Sequence, residues 1–241
     1  MCKSLLFLLI ITMQMANLAI FASPVRSALG GDSLEIPHSD LPYDAEVEYL
    51  ESTGMEYIDT GIVGNERLII DSKWSYGASD ASAAPFGSRI TNSSGAISVT
   101  GFSRMIDNRL YLNYGSTPSY VSYGGNDVYG HIWEIHIENG NSRLIRDGSV
   151  VSRRYTSVSA FTTPTSLILF GYYNNGKMPL SKNVRIYSWS VMEDNAFIHD
   201  FIPIRFTNED GLIEGALYDR VSGELFRNQG TGMFIIGPDL Q

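Results

Sequence analysis

Glu134, His136 and Glu138 alternate with Trp133, Ile135 and Ile137 in the run WEIHIENG, residues 133–140. Two carboxylates beside an imidazole are the residue types of glycoside hydrolysis, in which one carboxyl protonates the leaving oxygen while the other attacks or activates water. Retaining chemistry needs those carboxyls about 5–5.5 Å apart, whereas positions four apart on a strand have backbones about 13 Å apart. Glu134, Glu138 and His136 are therefore the catalytic candidates if the chain is an enzyme. The spacing favours instead a half-buried strand whose outward residues keep an open face soluble.

Two loop segments combine aromatic rings with amides and carboxylates, the mixture that grips the apolar faces and hydroxyls of sugars. YVSYGGNDVYG (120–130) offers Tyr120, Tyr123, Asn126, Asp127 and Tyr129, and GYYNNGK (171–177) offers Tyr172, Tyr173, Asn174 and Asn175. These nine are the expected ligand-binding residues. In VRIYSWSV, period-two alternation puts Arg185, Tyr187 and Trp189 on one face and Val184, Ile186 and Ser188 on the other; such a set is either a platform beside Glu134 and His136 or core packing. No run of acidic residues has the spacing of a calcium-binding loop such as an EF-hand. The four histidines, His38, His131, His136 and His199, have no G-x-S-x-G elbow to serve, and no Gly-rich phosphate cradle occurs.

The elements that must position these groups are short. From residue 45 onward, strand-like runs are separated by turn residues about every 8–12 positions, the spacing of an antiparallel sandwich or barrel. Asn139-Gly140 and Asp147-Gly148 sit where a hairpin wants positive φ, making neighbours of strands over 130–139, 142–147 and 149–154. RVSGEL (220–225) and NEDGLI (208–213) add two further turns. No run sustains a 3.6-residue apolar period. The 241 residues include 23 glycines, 14 tyrosines and 11 phenylalanines, with 44% hydrophobic and 18% charged residues, a composition of sheet and turns. A net charge of −9 without any basic cluster excludes nucleic acid as the expected partner.

The N-terminus reads as a signal peptide over residues 1–22: Lys3, then apolar residues 5–11 and 13–21, with Ala22 last before the cut; an uncleaved membrane anchor is the alternative, since about 18 apolar residues can span a bilayer. Residues 23–44, with three prolines and no periodicity, read as a flexible linker, and 45–241 as the folded domain. Cys2, the only cysteine, lies inside the signal, so the exported chain would carry no disulfide and no thiolate site. Export without disulfides suits a bacterial periplasm, cell surface or secreted setting, with no membrane insertion after cleavage.

LPYDAEVEYLESTGMEYIDTGI (41–62) and the stretch from NVRIYSWSV through DFIPIRF, LYDRVSG and NQGTGMFIIG (183–237) resemble the two ends of a concanavalin A-like, laminin G-type jelly-roll family of secreted gut-bacterial and phage tail or fibre proteins. HIWEIHIENGNSRLIRDGSVV resembles the central hairpins of laminin G-type sandwiches. The resemblance covers residues 41–237 and implies an all-β, antiparallel two-sheet β-sandwich. Laminarinase-type enzymes of that overall fold carry Glu, Asp and Glu at alternate strand positions; here His136 takes the middle place. The resemblance also implies a possible Ca2+, for which Asp107, Asn108, Asp127 and Asp147 are the candidate ligands. The expectation is thus an exported, non-catalytic module that recognises a glycan or a surface protein, with a structural or protein-interaction module of the envelope or a fibre as one alternative and glycoside hydrolysis through Glu134 and Glu138 as the other.

Overall fold

Period-two alternation of apolar and polar residues, interrupted by glycine turns, assembles into two facing sheets. The structure, a computed structural model, describes residues 41–77, 82–92, 95–104, 109–125 and 127–241, all within the unit Pro37–Gln241. The expected signal peptide with Cys2, the linker to residue 40 with His38, and Asp107, Asn108 and Asn126 lie outside the described residues.

In chain order the strands are β1 (Ala45–Glu46), β2 (Leu50–Thr53), β3 (Ile58–Asn65), β4 (Ile69–Tyr76), β5 (Ser82–Asn92), β6 (Gly95–Arg104), β7 (Arg109–Gly115), β8 (Thr117–Tyr123), β9 (Ile132–Ile137), β10 (Ser142–Arg146), β11 (Ser149–Arg154), β12 (Thr162–Leu169), β13 (Tyr173–Asn174), β14 (Lys182–Glu193), β15 (Ala196–Thr207), β16 (Ile213–Asp219), β17 (Leu225–Arg227) and β18 (Ile235–Ile236). One sheet runs β11-β10-β9-β4-β14-β15-β16-β17, joined by β1, β2 and β18; the other runs β3-β12-β5-β6-β7-β8, joined by β13. Pairing is antiparallel except for β13 on β5. The chain therefore forms the antiparallel two-sheet β-sandwich expected, with no helix among the described residues.

The core between the sheets is aromatic. Trp74, Trp133 and Trp189 are almost fully buried; Trp74 sits opposite Trp133 across β4 and β9, and Trp189 stacks on Phe201 with centroids 5.8 Å apart. The strand β9 behaves as its alternation demands: Trp133, Ile135 and Ile137 point inward. The meander β9-β10-β11 is present, and its turns use Gly140 (φ 85), Asp147 (φ 47) and Gly148 (φ 76). The remaining two turns use Gly211 (φ 77) and Gly223 (φ 76).

Two expectations are corrected. Arg185, Tyr187 and Trp189 do not share a face, because a bulge in β14 sets Ile186 opposite Trp74 and Ser188 opposite Lys73. Tyr187 is the extra residue, and the added position reverses the alternation beyond it. Ile186 and Trp189 thus both enter the core, and Arg185 and Tyr187 both face out. The expected linker also ends too late: Tyr43 is 7% exposed and its ring packs 5.0 Å from that of Tyr218, while Asp44 N–H donates to Arg205 O.

The terminal motifs form a clasp. Glu56, fully buried, accepts from Thr53 N (2.6 Å), Thr53 Oγ1 (2.7 Å) and Met55 N (3.2 Å). Gln229 N donates to Tyr57 O and Thr231 N to Met55 O, pressing the NQGTG loop onto this turn. A Cβ on Gly230 would lie 1.8 Å from Met55 O, a backbone atom that cannot swing away.

Asp219 secures the LYDRVSG turn by accepting from Asp200 N, His199 Nδ1, Ser222 N and Oγ, and Val221 N. Burial alone would raise its carboxyl, but these donors outweigh it and hold it at about 2. Ser222 Oγ bonds Asp219 rather than His199, so the three do not form a nucleophile relay.

Two predictions follow from these contacts. Gly230→Ala destabilises the fold by about 3 kcal/mol or more, whereas Gly124→Ala, whose Cβ meets nothing within 4 Å, stays within about 0.5 kcal/mol; denaturant midpoints of the two variants check this. Because the carboxyl of Asp219 is lowered by folding, its contribution of about 2 kcal/mol is complete above the ordinary carboxylate range and fades as pH falls toward 2. Stability measured across that acid range in the native protein and in Asp219→Asn shows this decline in the first and loses it in the second.

Candidate functional site

Sheet pairing places polar side chains in rows on the open face of the larger sheet. One row crosses six strands: Arg153 on β11, Arg143 on β10, His136 on β9, Asp71 on β4, Ser190 on β14 and Asp200 on β15 stand opposite one another in turn. His136, 8% exposed, is held between two carboxylates, with Nδ1 2.8 Å from Asp71 Oδ1 and Nε2 3.4 Å from Glu138 Oε2. The next row sets Glu134 opposite Lys73, and Lys73 opposite Ser188.

Beside these rows lies an aromatic patch. The hydroxyls of Tyr187 and Ser75 are 3.0 Å apart, Tyr187 meets Tyr49 edge-on at 5.7 Å, and the Arg185 guanidinium lies 4.5 Å over the Tyr49 ring. Arg185 Nε donates to Glu51 Oε2 at 2.6 Å. This ion pair and the cation–π contact fix both rings at the surface. Tyr49 and Tyr187 remain half-buried rather than enclosed.

The catalytic candidates occupy this face but belong to different local systems. Glu138 lies one residue beyond β9, where Asn141 Nδ2 donates to its Oε2 at 2.7 Å. Glu134 faces Lys73 instead. His136 stands between them along the strand, bonded to Glu138 on one side and to Asp71 on the neighbouring strand.

The loop candidates are largely engaged with the protein itself. Tyr120 is 2% exposed and its hydroxyl donates to Thr156 O; so enclosed a ring offers no surface to a ligand, which corrects that expectation. Tyr129 is half-buried and meets Tyr76 edge-on at 6.1 Å. Asn175 (φ 50) and Gly176 (φ 81) form the turn of a hairpin, and the Asn175 amide bonds Thr91 N (2.7 Å) and O (3.0 Å). Tyr173 and Asn174 pair with β5 at Ser88 and Arg89, while Tyr172 N–H donates to Pro179 O.

Tyr123 and Asp127 belong to a rim network centred on Arg146. Arg146 donates to the Tyr123 hydroxyl, to Asp127 Oδ2 (2.6 Å) and to His131 Nε2 (2.7 Å); Tyr123 in turn donates to Asp127 Oδ1 (2.7 Å). Asp147 closes the ring at 2.6 Å from His131 Nδ1. The Tyr123 hydroxyl lowers the carboxyl of Asp127, and the Ile132 N–H lowers that of Asp147. Of the calcium candidates among the described residues, Asp127 is paired with Arg146 and Asp147 accepts from His131 with Arg146 Nε 3.7 Å away, and no group of three or more His, Cys, Asp or Glu among the described residues is arranged to hold a metal.

Asp71, Lys73, Arg143 and Tyr49 were not among the expected site residues, whereas Arg185 was considered as part of a platform. The signal for the first two lay in IIDSKWSY, which alternates as WEIHIENG does; pairing the two strands brings Asp71 to His136. Arg146 and His131 come from separate turns, and their meeting has no local signature.

No family model and no curated protein matches the chain. Among solved structures, a mutant of Trypanosoma rangeli sialidase displaying trans-sialidase activity is similar over 65% of this chain and 31% of that one, at 9% identity and a TM-score of 0.38. Trypanosoma rangeli sialidase in complex with 2,3-difluoro-KDN is similar over 62% and 27%, at 12% identity and the same TM-score. The chain spans less than a third of the length of those enzymes. A likeness of this size carries no argument about activity, and the fold stands on the strand pairing itself.

The rim network also dictates a tautomer. A guanidinium has no acceptor, so His131 Nε2 must carry a lone pair and the ring proton must sit on Nδ1, donated to Asp147. Imidazole 15N shifts at neutral pH report Nδ1–H for His131, and Arg146→Ala releases the ring to populate Nε2–H; a native ring protonated at Nε2 would contradict the network.

Proposed function

We propose that the chain is an exported, non-catalytic binding module that recognises a glycan on the open face of its larger sheet. The observation that carries this reading is the outward placement of Tyr187 by the bulge in β14, beside Tyr49 and next to the Lys73–Glu134 and Asp71–His136–Glu138 rows. Fixed rings supply stacking surface for the apolar face of a sugar, and ordered carboxylates, imidazole and ammonium supply hydroxyl partners. An open, shallow surface of this kind binds each sugar weakly and gains strength when several copies engage one polymer.

Glycan and polysaccharide arrays probed with the purified protein, with and without calcium, test this. Selective binding that falls at least about tenfold in Tyr187→Ala and in Glu134→Gln, and survives Tyr123→Ala, is the expected result. Binding lost only in Tyr123→Ala would relocate the site to the loop rim, and a blank array in both conditions would turn the reading toward a protein partner. Turnover of any bound glycan that stops in Glu134→Gln and in Glu138→Gln would instead make the chain a hydrolase.

A further inference from the structure

β17 leaves its ladder early. Its last pairing is Arg227 with Ala216, after which the Asn228 side chain takes over the chain's direction: Oδ1 accepts from Tyr57 N (3.1 Å) and Gly230 N (2.8 Å), and Nδ2 donates to Gly232 O (2.6 Å). The loop is thereby drawn across to the Glu56 clasp. The first residues of β16, Ile213 to Gly215, keep β15 on one side and face a gap on the other.

That gap is a depression of about 130 Å3 lined by Glu214, Gly215, Asn228, Gly232, Met233 and Phe234. A dry protein cavity of about 150 Å3 takes up benzene, so an open depression of this size seats one face of a six-membered ring and leaves the rest of a hexopyranose in solvent. Phe234, 6% exposed, forms an apolar floor fixed by its contact with Phe170 at 4.5 Å. Met233, 61% exposed, stands at the mouth, where a flexible thioether adapts to a ligand face. Glu214 Oε1 is taken by Asn208 Nδ2 at 2.5 Å. Among the described hydrogen bonds, none is made by Glu214 Oε2 or by the second amide hydrogen of Asn228.

We infer that this depression is a separate subsite for a single neutral hexopyranose ring, seated against Phe234 and Met233 with hydroxyls on Glu214 and Asn228. Apolar floor plus one acceptor and one donor is the pattern that recognises a sugar ring. Glu214 is the sole charged residue of the lining, so a ring carboxylate seated beside it is disfavoured, the nearby Arg227 guanidinium being held over the Phe206 ring. The volume seats one ring at a time. The ligand class rests on the glycan reading above; the site does not, since it lies in another part of the fold and uses none of the same residues.

The test is a titration of the full-length protein carrying 13C-methyl methionine with methyl glucoside, methyl galactoside and methyl mannoside, with glucuronate as counter-probe. A saturable shift of the Met233 methyl with at least one neutral glycoside, in the range of about 1–10 mM, and none with glucuronate, is expected. Glu214→Gln weakens it about tenfold or more, with the Met178 and Met192 methyl signals unmoved as evidence of an intact fold. Tyr187→Ala leaves the Met233 response unchanged, which separates this subsite from the sheet-face reading. No saturable Met233 shift, an equal response to glucuronate, a response unaltered by Glu214→Gln, or one abolished by Tyr187→Ala would each overturn the inference.

Discussion

Burial of Trp189 organises much of the sandwich around it. β14 is bordered by β4 over most of its length, and on its other edge by β2 at one end and β15 at the other. Its inward residues therefore have to satisfy three neighbours. Ile186 must pack at the β2 end, and Trp189 must reach Phe201 and Phe86 at the β15 end. Three positions apart, these two cannot share a face of a regular strand. An extra residue is the remedy, and a large aromatic core gains far more from seating both side chains than a single interrupted ladder position costs.

The same bulge shapes the opposite face. Displacing one residue outward puts Tyr187 where a regular strand would keep Ser188 alone, and Arg185 and Tyr49 close around it. Because antiparallel pairing sets residues directly opposite, the polar positions of β9, β4 and β14 then form continuous rows rather than scattered charges. Core packing and surface chemistry are in this sense one problem, solved by one inserted position.

What the amino-acid pattern disclosed and what it concealed divide along that line. Strand β9 was legible because six residues alternate without interruption, and the turns at Gly140 and Gly148 because positive φ selects glycine. The orientation of Trp189 was not, since a bulge adds a residue without changing composition, and a period-two count then inverts everything after it. Tyr120 looked like a loop aromatic because TPSYVSY is short and flanked by glycine, yet it lies on β8 with its ring against Tyr114. The Arg146 network was invisible for a different reason. Residues 123, 127, 131 and 146 meet only after β9 and β10 have paired, and RDG signals a turn whether or not its arginine has partners.

These differences bear on which polar groups are available for recognition. In the rim network every strong donor faces an acceptor within the protein: Arg146 has Tyr123, Asp127 and His131, and His131 has Asp147. A ligand there would have to replace charge-assisted bonds with weaker neutral ones, a net loss. On the open sheet face the aromatic rings are fixed but their surfaces are only half covered, and beside β16 the half-buried Glu214 has one carboxylate oxygen engaged by Asn208. Recognition needs groups that are positioned without being satisfied. By that criterion the residues that looked most like a binding loop spend most of their polar groups on the fold, and the binding proposed above falls where strand pairing leaves ordered side chains only half covered.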